Sequence, residues 1–169
     1  MAVLEQRVLA PEIQASEWIN TDGPLTLSGL RGKVVVIEAF QMLCPGCVSH
    51  GLPLAQELCE AFPKADVQVL GLHSVFEHHE AMTPVSLKAF LHEYRVTFPV
   101  AVDQAGEGPL PLTMQAYQLR GTPSVIVIDR SGYVRISQFG QVSGIRLAAR
   151  IAGLIHETAD SCGPSGCTV

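Results

Sequence analysis

Cys44 and Cys47 stand two residues apart, directly after the apolar run Val-Val-Val-Ile-Glu-Ala-Phe (34–40) and directly before a stretch with helical periodicity. A dithiol in that position is placed for thiol–disulfide exchange. The first cysteine falls at a helix N-terminus, where unpaired backbone N–H groups and the positive end of the helix dipole favour a thiolate. Cys44 is therefore the expected nucleophile and Cys47 the resolving thiol. Zinc sites and structural disulfides also use a lone Cys-x-x-Cys, so the neighbouring residues must discriminate.

Glu38 interrupts what would otherwise read as a fully buried central strand. Burial of a carboxylate disfavours its charged form and raises its pKa, which suits a group that exchanges protons near neutral pH. Thiol–disulfide exchange needs such a group, because the resolving thiol must lose a proton before it attacks. The competing reading is an edge-strand acid that faces water. Further along, Gly-Thr-Pro-Ser (121–124) precedes a second apolar run. Pro123 cannot donate to a sheet ladder and belongs at the strand's start, where the Thr122-Pro123 bond can offer backbone groups to a substrate chain.

The elements that must hold these residues read as alternating strands and helices. Strand 34–40 feeds the cysteines and a helix to about Phe62, with the stripe Leu52, Ala55, Cys59, Phe62, so that Cys59 is expected in the core. A strand follows at 67–72, then a helix opened by Thr83-Pro84 and a strand at 98–102. After a Gly- and Pro-rich loop and a short helix to Leu119, strands 124–129 and 133–138 are joined by the turn Asp-Arg-Ser-Gly, and Ser143 opens a last helix. Residues 11–27 alternate and are broken by Thr21-Asp22-Gly23-Pro24, which predicts two strand-like pieces around a turn.

The strand, the acid six residues before the first cysteine, the Cys-x-x-Cys and the later Gly-Thr-Pro resemble the thioredoxin superfamily. Within it, Leu-Arg-Gly-Lys-Val-Val-Val (30–36), Thr-Phe-Pro-Val-Ala-Val-Asp (97–103) and Gly-Thr-Pro-Ser with Ile-Asp-Arg-Ser-Gly (121–132) resemble the TlpA/ResA-type thiol-disulfide oxidoreductases, grouped with the AhpC/TSA-related redoxins. The likeness runs from about Ala10 to His156. It implies an α/β thioredoxin-like fold, a central mixed sheet flanked by helices, with an N-terminal hairpin and a helix-strand insertion. It also implies that Cys44 attacks, Cys47 resolves, Glu38 handles protons and Pro123 is cis. Thr122 and Pro123, the Pro45-Gly46 dipeptide between the cysteines, and His73 are the candidate substrate contacts. Two departures stand out. Leu43 replaces the usual tryptophan, and the helix proline comes one residue late, as Pro53 after Gly51, which predicts a kink or bulge under the site.

The chain has 169 residues, 47% of them hydrophobic, enough for one well-buried α/β domain, expected over 1–157 with a flexible cysteine-containing tail at 158–169. A net charge of −5 without a basic cluster argues against nucleic acid as partner. The N-terminal residues show no signal-like pattern, no stretch approaches membrane-spanning length, and the odd count of five cysteines fits a reducing compartment, so a cytoplasmic location is expected, with export the alternative if a signal segment has been removed. No cofactor is called for. The expected partners are a disulfide-containing protein or small-thiol substrate and an electron donor. The uncharged Pro45-Gly46 pair marks no strong oxidant, and reduction is the expected direction, although the motif alone does not decide it.

Two other chemistries compete. A peroxiredoxin-like thiol peroxidase would resemble its family in a proline and a threonine seven and three residues before the reactive cysteine, where this chain has Ile37 and Gln41. A metal-binding or metallochaperone module would draw on Cys44, Cys47 and His73, or on His78 and His79, in a segment holding three of the six histidines. The favoured reading of that segment is an exposed loop. His50, three residues after Cys47, shares its helix face and is either a neighbour of the dithiol or an exposed first-turn residue. Cys162 and Cys167 form a possible second redox pair in the tail.

Overall fold

The computed structural model describes residues 3–157, with side chains from residue 8 onward. Seven strands form one mixed sheet: β1 (Val3–Leu9), β2 (Ala15–Ile19), β3 (Val34–Phe40), β4 (Val67–His73), β5 (Val100–Asp103), β6 (Ser124–Ile128) and β7 (Tyr133–Phe139), in the order β1-β7-β6-β3-β4-β5-β2. β3, β4 and β5 run parallel; β6 is antiparallel to β3, and β7 to β6. Central position explains the composition of β3. Every residue of it is buried, because both faces of the sheet are covered.

Alternation along β3 splits its side chains between two cores. Val34, Val36 and Phe40 pack with Leu52, Ala55 and Leu58 of α1 (Leu52–Ala61), Leu87 and Leu91 of α2 (Pro84–Glu93), and Leu147, Ile151 and Leu154 of α4 (Gly144–His156). Val35, Ile37 and Ala39 face the other side, under Leu27, Leu119 and Met114 of the short α3 (Leu112–Ala116). Thr83 caps α2 by accepting the Ser86 N–H at 3.3 Å, as the Thr-Pro pair predicts. Ser143 occupies the corresponding position of α4, but its side chain makes no cap bond. The turn between β6 and β7 is the expected one: Asp129 Oδ1 accepts N–H groups of Ser131 and Tyr133, both at 3.0 Å, and Gly132 takes φ +91°.

The N-terminal hairpin is corrected. β1 pairs with β7 and β2 with β5, so the two first strands lie at opposite edges of the sheet. The turn at 21–24 leads to a 3-10 turn at Ser28–Leu30 instead of a strand. Alternation shows that a segment lies on a half-covered sheet surface, but not which edge supplies its partner. Cys59 is half-buried against the first core rather than enclosed in it; Leu58 takes the buried place. Among the described residues, no helix is long and apolar enough to cross a membrane.

Candidate active site

The active-site loop leaves the C-terminal end of β3. Residues 45 and 46 begin the helix, Cys47–Gly51 form a π-turn, and α1 continues from Leu52. Cys44 thus sits at the helix N-cap and Pro45 in the first helical position, where its missing N–H costs nothing. The Cys47 N–H donates to Cys44 Sγ at 3.2 Å, the bond an N-cap side chain makes, here with sulfur as acceptor. That contact and the helix dipole both stabilise negative charge on Cys44. Both cysteines are free thiols; Cys44 is half-buried and Cys47 is 0% exposed.

The π-turn has a sequence cause. The Leu52 N–H reaches the carbonyl of Cys47, five residues back, and Pro53 follows with no N–H to offer. One extra residue is thereby absorbed between the second cysteine and the proline, which is the bulge predicted from the late proline. Its consequence is local and large. Gly51 lies over Glu38, so that a Cβ on Gly51 would fall inside the van der Waals envelope of Glu38 Oε1 and 3.1 Å from both Glu38 Cδ and Pro123 Cβ.

Glu38 is 2% exposed in the centre of the sheet, on the same face as the π-turn, and its Oε1 has no protein hydrogen-bond partner. Desolvation, helped by the nearby Cys44 charge, pushes its pKa up to about 8. Burial, and then its hydrogen bond with Cys44, likewise push the Cys47 thiol up to about 12. A nucleophile that meets solvent therefore stands in front of a buried thiol and a buried acid.

The Thr122-Pro123 peptide is cis. Its loop faces the dithiol: Cys44 Sγ lies 3.5 Å from the Thr122 carbonyl, and Pro123 Cδ lies 3.2 Å from where a Cβ on Gly46 would be. A side chain at position 46 would thus press on the proline. Ser124 secures the loop by donating from Oγ to the Gly121 carbonyl at 2.7 Å.

Other candidates are placed differently. His73 pairs with Phe40 across β3 and β4, is 1% exposed, packs its ring 5.3 Å from that of Phe40, and leaves both ring nitrogens without a partner. It presents no atom to a substrate; Ser74, which follows it, is buried as well and donates its N–H to the Phe40 carbonyl at 3.1 Å. His78 and His79 lie in an exposed loop, as favoured from sequence. His50 is exposed, with Nδ1 2.7 Å from Ser49 Oγ. Among the described residues no group of three or more His, Cys, Asp or Glu side chains is arranged to hold a metal ion. Cys162, Cys167 and the expected tail at 158–169 lie outside the described residues.

Gln41 is a residue that sequence reasoning passed over. It is 1% exposed; its backbone carbonyl accepts the Cys44 N–H at 3.2 Å and its Oε1 accepts the Phe76 N–H at 3.2 Å. It ties the cysteine loop to the segment after β4. A buried glutamine beside a nucleophile leaves no periodic signal, and only its place three residues before Cys44 marked it.

A family model described as the AhpC/TSA family matches residues 8–137. Protein DipZ of Mycobacterium bovis is 29% identical over 143 residues, which cover 83% of this chain and 20% of DipZ, so the chain spans about a fifth of that relative. The thiol-disulfide oxidoreductase ResA of Bacillus thuringiensis subsp. konkukian is 26% identical over 124 residues, 72% of this chain and 65% of ResA. Among solved structures, a thiol-disulfide isomerase from Corynebacterium glutamicum is 52% identical with a TM-score of 0.84, covering 88% of this chain and 98% of that one. A thioredoxin-like superfamily protein is 64% identical with a TM-score of 0.88, covering 89% and 98%.

Proposed function

From the chain's membership of the AhpC/TSA family, in the thioredoxin-like, TlpA/ResA-type branch, we propose that it is a thiol-disulfide oxidoreductase exchanging its Cys44–Cys47 dithiol with disulfides of proteins or small thiols. The observation that carries this reading is the asymmetry of the pair: Cys44 is half-buried at the helix N-cap with an N–H on its sulfur, while Cys47 is enclosed behind it. The Cys44 thiolate attacks a substrate disulfide, forms a mixed disulfide and releases the first substrate thiolate. Cys47 gives its proton to the Glu38 carboxylate and attacks Cys44 Sγ. That closes the Cys44–Cys47 disulfide and expels the second substrate thiolate, so the substrate gains the two electrons the dithiol loses. The backbone of Thr122 and Pro123, with Pro45 and Gly46 opposite, forms the surface on which a substrate chain lies.

Cys47→Ser should accumulate mixed disulfides through Cys44, and Cys44→Ser should not. Equal trapping by both variants, or better trapping by the second, removes the assigned roles. Reduction of substrate is the proposed direction. A redox titration of the pair should place its potential below about −220 mV, whereas a value near the roughly −120 mV of strong oxidants reverses the direction.

A further inference from the structure

Beside the dithiol, a cleft of about 210 Å³ runs between the π-turn, the start of α1, Pro123 and the Gly140–Gly144 segment that leads into α4. Glu38 contributes to its lining although the residue is 2% exposed. Ser49, His50, Glu57 and Gln141 give the outer part a polar rim, and Glu57 and Gln141 are exposed. A buried acid with an unpartnered oxygen, at the inner end of a polar-rimmed cleft, has a path to water that does not pass the sulfurs.

Gly51 is what the path requires. Its φ of −62° and ψ of −55° are ordinary helical values, at which alanine is the better residue by about 1 kcal/mol. Backbone conformation therefore does not explain a glycine. The space beneath it does, since a methyl group there collides with Glu38 Oε1.

We propose that this cleft carries protons between Glu38 and bulk water, and that Gly51 is a positioning residue whose missing side chain leaves the Glu38 carboxyl its place at the cleft's inner end. The inference rests on the proton-carrying role of Glu38 given above. In each turnover the proton that Glu38 takes from Cys47 leaves through the cleft to solvent, and the expelled substrate thiolate is protonated by solvent on its own side. The titratable groups around Glu38 are Cys44 and Cys47 on the active-site loop and helix, His50 on the π-turn and Glu57 on α1.

The test compares the parent, Gly51→Ala, Glu38→Ala and the double variant. Two readouts are taken: stopped-flow rates of mixed-disulfide formation and resolution, and hydrogen–deuterium exchange of the Glu38 carboxyl followed by its infrared C=O band. Gly51→Ala should slow carboxyl exchange and resolution at least tenfold, leave mixed-disulfide formation unchanged, and add nothing in the Glu38→Ala background. Should Gly51→Ala fail to fold, Gln141→Trp blocks the same cleft from its exposed rim and should slow the same two rates. Exchange as fast as in the parent, in whichever of these variants folds, overturns the cleft route. An unchanged resolving rate in Glu38→Ala instead overturns the proposed role of Glu38, while the infrared exchange still reports whether the cleft gives access to it.

Discussion

Replacing Glu38 by glutamine should change how the fold responds to pH more than it changes the fold. The carboxyl moves from an ordinary value of 4.5 to about 8 in the native protein, chiefly by desolvation. Below pH 4.5 it is protonated whether the chain is folded or not, and it contributes no pH dependence. Between the two values the unfolded chain releases the proton and the native protein keeps it, so stability falls as pH rises; above about 8 the loss is complete. At about 1.4 kcal/mol per unit of pKa difference, the whole displacement corresponds to roughly 5 kcal/mol, of which about 4 kcal/mol develops between pH 5 and pH 8.5. Urea denaturation of reduced parent and Glu38→Gln protein across that range should show the two curves diverging by about that amount, with the variant the more stable on the alkaline side. Taking the difference cancels titrations that both proteins share. Parallel curves would show that Glu38 ionises as a solvated carboxylate, and the buried-acid reasoning would fail with them.

His73 acts in the opposite direction: burial lowers its pKa from 6.5 to about 4, so its contribution is present above 6.5 and is lost as pH falls through 4. His73→Phe should accordingly gain about 3 kcal/mol on the parent between pH 7 and pH 4 in the same denaturation assay. Iodoacetamide at neutral pH should alkylate Cys44 and leave native Cys47 unmodified, as read by peptide mass spectrometry; equal labelling would contradict the enclosure of Cys47. Asp103 accepts the N–H groups of Thr113 and Met114 and the Ser74 hydroxyl at 2.9–3.0 Å, so Asp103→Ala should cost about 2–4 kcal/mol and speed amide exchange across 104–114. Deleting residues 161–169 should leave thiol–disulfide exchange by dilute protein unchanged. α4 carries the chain away from the dithiol to Glu157, which pairs with Arg135; five residues from there to Cys162 span at most about 18 Å, less than the roughly 20 Å length of the helix, and the ten to Cys167 could span about 35 Å only when extended, at a cost of about 1–2 kcal/mol per residue ordered.

Much of the molecule follows from short-range pattern. The continuous apolar run of β3 identified a central strand to the residue, Thr83-Pro84 the start of α2, and Asp129 to Gly132 the β6–β7 turn, because each depends on burial or backbone preferences of consecutive residues. The pairing of Cys44, Cys47, Glu38 and Pro123 was legible for the same reason, as each closes or opens a recognisable element. Even the π-turn left a trace in the one-residue delay of Pro53. The tertiary structure alone decided which edge receives a strand: the piece at 15–19, which reads as one arm of a hairpin around 21–24, pairs with β5 at the sheet edge, and the expected second arm forms no strand. It also decided that His73 is enclosed against Phe40 and that Gly51 stands over the Glu38 carboxyl. Those outcomes depend on contacts between segments far apart in the chain, where free energy is set by shape and desolvation, and neither has a period that a sequence can display.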